Sequence, residues 1–424
     1  MNCSTNIKLI EKIEGEAKLN ISYHDGKIDF VDIEFFQTRG IENILKNKPA
    51  LDALVINPRV CGICGHAHLQ ATVKALENCY HDIKISQKAK IIRELTLNFE
   101  IIQNHFKWFY LTIMPLLGFR QNVLKATKPT ALIAKAIATF AGQYPHNSYA
   151  IVGGVVSEPT AMEIFKVESL IEEVRSYFET EVVKTDTTKL LECKNIEEIF
   201  SKKGDLPKIL KKLKENQLSN IGNSHDRFIV FGQNSYFKRG KSLKTRVTKN
   251  IDEKYIKEFE NENSFAKNVL YKYKYYEVGS LSRAMLNKTP LIKDAHRRYK
   301  DSIFSRILAR VCEIPQLLNH SKQLLKELDL SEPSYIKPKT DISFLTGQGV
   351  SAVEAARGSL IHKVQLERGV IKNYTIITPT QWNLSSGTKQ NPAPAQKAML
   401  GLDSEDTAEL VFKSFDVCSV CTTH

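Results

Sequence analysis

Arg59-Val60-Cys61-Gly62-Ile63-Cys64-Gly65-His66-Ala67-His68 near the start of the chain and Asp416-Val417-Cys418-Ser419-Val420-Cys421-Thr422-Thr423-His424 at its end each carry two cysteines three apart. A tight turn between such cysteines can bring both sulfurs to one metal, and each pair has a His just downstream. Four soft thiolates select zinc, an iron–sulfur cluster or a late first-row metal such as nickel, so the ligand set alone leaves the metal open. A zinc ribbon closes its two knuckles over a loop of roughly 15–20 residues. Here residues 65–417 intervene, so one site would have to join the two ends of a whole domain.

The 424 residues suffice for a large buried core and a solvent-excluded site. The other four cysteines, Cys3, Cys79, Cys193 and Cys312, are isolated, which is not the density of a secreted disulfide scaffold. Met1-Asn2-Cys3-Ser4-Thr5 lacks the basic-then-apolar layout of a signal peptide, and no apolar run is long enough to span a bilayer. The expectation is a cytoplasmic protein, with export or membrane association through a small subunit as the alternative. A net charge of +13 invites a nucleic-acid reading. The lysines are spread out, however, and thickest in 202–214 and 237–249 among Asp, Glu, Asn and Ser with no nucleic-acid motif, so they read as solvated surface and no nucleic-acid partner is expected.

Alternating apolar residues at Ala17, Leu19 and Ile21, a turn at His24-Asp25-Gly26 and a resumed run through Ile28, Phe30 and Ile33 predict a β-hairpin within Glu14–Phe35. Ser359–Glu367, the turn Glu367-Arg368-Gly369 and β-branched Val370–Thr378 predict a second. Helical spacing over Ser86–Leu117, Pro159–Lys184 and Asp294–Leu328 predicts long core helices. The stretch 185–264 is rich in Lys and Asn with weak periodicity and reads as a peripheral region within a single domain spanning 1–424.

The two cysteine motifs resemble the RxCGxCxxxH and DPCxxCxxH motifs of nickel–iron hydrogenase large subunits. Further segments match in family order: Lys12-Ile13-Glu14-Gly15 (RIEG), Arg39-Gly40-Ile41-Glu42 (RGxE), Gly153-Gly154-Val155 (GGV), 276–283 (YEVGPLAR), Glu354-Ala355-Ala356-Arg357-Gly358 (EAPRG) and Pro379-Thr380-Gln381-Trp382-Asn383 (PTTWN). The resemblance implies a mainly α fold with flanking β-hairpins, an α+β body on a long core helix bundle. It also implies a catalytic subunit that cleaves H2 heterolytically, or forms it, at a nickel–iron centre whose iron carries CO and CN.

By the same resemblance, Cys61 and Cys418 bind nickel alone, Cys64 and Cys421 bridge to iron, and Arg357 and Thr380 contact cyanide. Cys418 and then Glu14 take the proton, Arg357 orients or deprotonates hydrogen, and His68 bonds a bridging sulfur. Glu42, His424 and the Ile376 carbonyl match ligands of a structural magnesium. Implied partners are an iron–sulfur small subunit, because this chain has no spare cysteine cluster for a wire, and a maturation chaperone with accessory proteins. Alternatives are a hydrogen-sensing subunit with the same centre and a zinc-binding structural relative. Departures are Val417 and Ala356 for prolines beside the metals, Val152 for a proline before GGV, and Asn104 where many members carry an aspartate near Arg357.

Overall fold

Asp25-Gly26 and Arg368-Gly369 have φ of 48°, 74°, 47° and 72°, the left-handed pairs that close two-residue hairpins with the twist of their strands. In the computed structural model, which describes residues 3–11, 15–232, 240–244 and 246–418, both turns do this. Ala17–His24 pairs antiparallel with Lys27–Glu34, and Cys3–Ile10 adds an outer strand to make a three-stranded sheet. Gly358–Glu367 pairs with Val370–Ile377, and Gly347–Ala355 adds a third strand on its other side. Both predicted hairpins are therefore borne out, each enlarged by a strand with weaker alternation.

Ser86 caps the Gln87–Trp108 helix by accepting from the Ala89 N–H. This helix is buried around nearly its whole circumference, as expected of an element at the centre of a core. A π-type turn at Phe109–Ile113 extends it to Leu116. It packs against Val123–Ala141 and Ile303–Glu327, and Ala161–Tyr177 packs against both of these, giving a four-helix core. Pro129 lies inside Val123–Ala141 and cannot donate to the Lys125 carbonyl; the Tyr177 hydroxyl donates to it at 2.9 Å instead. Pro129 also weakens the sequence signal for this helix.

Two expectations need correction. Asp294–Leu328 is not one helix: Pro290–Tyr299 ends at Lys300 (φ 59°), and Ile303–Glu327 starts anew with Ser302 as its cap. Between them the Asp301 carboxylate accepts the backbone N–H groups of Ser224 and Asp226, a tie available only in the broken form. Nor is 185–264 peripheral throughout. Leu206, Ile209, Leu210 and Leu213 of the Asp205–Glu215 helix enter the main core at helical spacing, and Ile229 and Phe231 pack with Trp382. The exposed strand Val247–Asn250 is the part that fits the periphery. No helix among the described residues is long and apolar enough to cross a membrane.

A buried ionic network ties the helices to the second sheet. Arg283 donates from Nε and Nη2 to the Glu313 carboxylate at 2.6 and 2.7 Å, and from Nη1 to Glu354 at 3.1 Å. It also donates to the carbonyls of Ala355 and Ala356. His105 Nε2 and the Ser280 hydroxyl complete the shell of Glu313, each at 2.7 Å. Burial pushes His105 down to about 4, against the opposing pull of Glu313, so its ring is neutral.

An unfolded histidine titrates near 6.5, so as the pH falls the unfolded chain takes up the His105 proton before the folded chain does. The contribution of the neutral ring is complete above that value and is lost as the pH drops toward 4. Going from about pH 7 to about pH 5 should lower the unfolding free energy by about 2 kcal/mol through His105. Equilibrium urea unfolding at the two pH values checks this, and an unchanged free energy would contradict it.

Candidate metal centre

Cys61 leaves a short 3-10 turn, Asn57–Val60, in an extended conformation, and Cys64 forms the N-cap of the Gly65–Glu77 helix. The backbone between them folds tightly enough for the Ile63 N–H to donate to Cys61 Sγ at 3.3 Å. Gly65 is required here: a Cβ there would meet the Pro58 carbonyl at 2.7 Å. At Gly62 a Cβ would meet only the His146 ring at 3.9 Å, ordinary contact. Arg39 steadies the approach by donating to the Val60 carbonyl at 3.1 Å.

The helix after Cys64 begins on a carboxylate. Glu100 accepts the N–H groups of His66 and Ala67 at 2.8 and 3.1 Å, satisfying two donors of the first turn. Burial raises Glu100 to about 8, opposed by these two N–H groups. Sequence reasoning missed it, although a lone Glu within Phe99-Glu100-Ile101-Ile102 on a core helix is a visible signal.

From the far end of the chain Cys418 comes to rest with its Sγ 3.6 Å from Cys61 Sγ. The sulfurs of Cys61, Cys64 and Cys418 all lie within 4.8 Å of one another, and all three residues are buried. Cys421, His424 and Glu14 fall outside the described residues. Gly15, beside Glu14 in sequence, lines a cleft of about 740 Å³ together with Ile63, Asn104, Arg357 and Asp416.

Arg357 sits at the tip of a two-residue turn, since Ala355 pairs directly with Gly358. Gly358 has φ 129°, and a Cβ there would come 2.6 Å from Val278, so the turn needs glycine. Arg357 Nε donates to the Asp416 carbonyl at 3.0 Å and lies 3.1 Å from its carboxylate. The same carboxylate lies 2.8 Å from Arg310 Nη1. Burial would lower the Arg357 pKa, but Asp416 and the three thiolates outweigh it and hold the guanidinium charged, well above its ordinary value. Asn104 contributes only its amide oxygen, 3.5 Å from Arg357. The carboxylate that could have stood at Asn104 is thus supplied from Asp416.

A second, small pocket is lined by Cys64, His68, Ala355, Arg357, Leu360, Pro379 and Thr380. The Thr380 hydroxyl is buried there without a partner among the described residues, an orphaned donor beside an apolar wall. His68 Nδ1 is engaged with His362 Nε2 at 3.2 Å, and His362 in turn meets the Tyr374 hydroxyl at 2.8 Å. Convergent thiols, a buried cation and an orphaned hydroxyl fit a soft metal centre that carries small acceptor ligands.

Glu42 and Ile376 meet each other but not the thiols. Glu42 Oε1 accepts the Ile376 N–H at 2.8 Å, and its Oε2 lies 2.8 Å from Lys267 Nζ. Glu42 thus has at least these two partners, and an ionised carboxylate keeps lone pairs beyond them.

A model of the nickel-dependent hydrogenase family matches residues 39–114 and 116–424. The chain is 27% identical to the alpha chain of sulfhydrogenase 1 from Pyrococcus furiosus, over 98% of its own length and 96% of the relative's. It is 22% identical to the large subunit of the periplasmic NiFeSe hydrogenase of Desulfomicrobium baculatum, over 99% and 94%. The fold superposes on the Ni-Fe-Se hydrogenase of D. vulgaris Hildenborough with a TM-score of 0.87, 20% identity and full coverage of both chains. With its thiols converging at one buried point and the family model matching nearly from end to end, the chain belongs to the nickel-dependent hydrogenase family.

Proposed function

We propose that this hydrogenase subunit holds a nickel–iron centre on Cys61, Cys64, Cys418 and Cys421, with CO and CN on the iron, and splits or forms H2 heterolytically there. The observation that carries this reading is the convergence of three buried sulfurs, with Cys64 sharing a small pocket with the charged Arg357. When bound, such a centre supplies the Lewis acidity and electron capacity for breaking the H–H bond. Every other requirement falls on the chain.

Cys64, the N-cap of the Gly65–Glu77 helix, and Cys421 would be the cysteines that hold both metals. Cys61 and Cys418 would hold the nickel alone, and Cys418 Sγ is the sulfur that would take the proton. Arg357 and the orphaned Thr380 hydroxyl are donors suited to cyanide nitrogens. Glu14 receives the proton next, a role supported by Gly15 at the cleft that also exposes Arg357 and Asp416. His68, fixed by His362, stabilises the sulfur of Cys64.

Electrons need another carrier. Burial pushes Cys79 up to about 11 and Cys312 up to about 12, so neither is a ready thiolate. Among the described residues Cys61, Cys64 and Cys418 form the one group able to hold a metal. A small subunit with iron–sulfur clusters supplies the wire, and a maturation chaperone with accessory proteins loads the metals. The setting we propose is cytoplasmic. A structural magnesium on Glu42, the Ile376 carbonyl and His424 belongs to the same proposal, with the Glu42 carboxylate also pairing with Lys267.

Co-expressed with its partner and maturation proteins, the protein should contain about one nickel per copy of this chain and show CO and CN infrared bands. Zinc with a silent infrared window would contradict the proposal. Arg357→Lys keeps the charge but loses the planar fork; it should retain nickel while turnover falls by about 10²-fold. Full turnover in that variant would remove Arg357 from the reaction.

A further inference from the structure

Behind the Cys64 pocket runs a line of buried polar side chains drawn from a helix and a hairpin. His68 and Thr72 stand one turn apart on the Gly65–Glu77 helix, and the Thr72 hydroxyl donates to the His68 carbonyl at 2.8 Å. His362 pairs across the second hairpin with Ile376, so Tyr374, two residues before Ile376, lies on the same face as His362. The helix and that face meet at the two histidines, with His68 Nδ1 and His362 Nε2 3.2 Å apart. The Tyr374 hydroxyl lies 2.8 Å from His362 Nδ1, and Thr72 Oγ1 lies 3.3 Å from both. The Asn57 amide donates to Thr72 Oγ1 at 2.8 Å.

Each hydroxyl has one hydrogen to donate, and this orders the line. Thr72 directs its own to the His68 carbonyl. Burial pushes the Tyr374 hydroxyl up, against its hydrogen bonds with Thr72 and Asn57, so Tyr374 keeps its hydrogen. Its nearest acceptor is His362 Nδ1; Thr72 Oγ1 is farther away and already accepts from Asn57. With Nδ1 accepting, His362 carries its hydrogen on Nε2 and donates it to His68 Nδ1. His68 then carries its hydrogen on Nε2, the nitrogen it can turn to the small pocket it lines beside Cys64. The reverse order would set a bare lone pair beside that sulfur. We propose that Tyr374 is a positioning residue for the metal centre: through His362 it holds the His68 hydrogen on Nε2, as a donor to the sulfur of Cys64. A sulfur that accepts a hydrogen bond donates less charge to its metals, so a hydroxyl two side chains away tunes the centre. The inference rests on the nickel–iron reading, which makes Cys64 a ligand.

Tyr374→Phe keeps the ring and removes the hydrogen at the head of the line. His362 Nδ1 would then donate to Thr72 Oγ1, and the His68 hydrogen would move to Nδ1. Nickel content, infrared bands and thermal unfolding are read on the complex purified with its partner. Expected is wild-type nickel with CO and CN bands shifted to lower wavenumber, because the sulfur without its donor pushes more charge onto the iron. A lowered Tm with unshifted bands would leave Tyr374 a packing role alone and overturn the proposal. Adding His362→Gln to Tyr374→Phe supplies an amide N–H to His68 Nδ1 and should return the bands to their wild-type position; bands that stay shifted would contradict the relay. Should Tyr374→Phe not accumulate, His362→Gln and His362→Leu repeat the contrast, with a shift expected for the leucine variant only and no difference between the two overturning the proposal. A wild type holding zinc and showing no bands would fault the nickel–iron reading and this inference with it, whereas wild-type bands that Tyr374→Phe leaves in place would fault Tyr374 alone.

Discussion

The carboxylate of Asp416, set between Arg310 at 2.8 Å and Arg357 at 3.1 Å, is the contact on which the site depends. Cys418 belongs to the last stretch of the chain, whereas Cys61 and Cys64 belong to its first fifth. Bringing their sulfurs together closes a loop of almost the whole protein, and a closure of that length must be held by something specific. Asp416 does so two residues before the thiol, in a left-handed conformation (φ 59°). Buried ion pairs add little net stability, because desolvation offsets most of the attraction, but breaking one strands a charge at a cost of about 3–5 kcal/mol. The pair therefore acts more on geometry than on stability.

Behind it stands a second layer. Arg310 stacks on Trp108, its guanidinium carbon 4.6 Å from the ring, and donates to the Ala356 carbonyl at 3.1 Å. Arg283 holds Ala355 and Ala356 as well, anchored on Glu313 and Glu354. The two-residue turn that presents Arg357 is thus gripped by helix-borne side chains, with Gly358 allowing the backbone to pass Val278. A long, largely buried helix carries His105 into this network and Glu100 to the base of the Cys64 helix. Core helices and reactive residues are in this sense one construction: helix packing sets where the donors stand, and the donors set where the thiols can meet.

Much of this was legible in the sequence wherever short-range chemistry decides the outcome. Asp25-Gly26 and Arg368-Gly369 marked both hairpins because left-handed turn residues are a local requirement. The cysteine pairs, Arg357 and Thr380 were visible through motif order, and the structure brings Cys61, Cys64, Cys418, Arg357 and Thr380 around one point. Long-range ties were not legible. Asp416 stood in a quoted motif without a role, since its partners lie on a hairpin and a distant helix. The break at Lys300 hid because apolar spacing runs on through it, and the buried face of Asp205–Glu215 hid beneath its lysines. Lys267 was invisible because a strand irregularity, rather than its spacing, aims it at Glu42.

If the two ends of the chain share one nickel through their sulfurs, nickel K-edge absorption on the matured complex will report it most directly. A first shell dominated by sulfur is expected, together with loss of bound nickel when Cys418 is replaced by serine. A shell of nitrogen and oxygen, or nickel retained unchanged in Cys418→Ser, would show that the thiols meet for some other purpose.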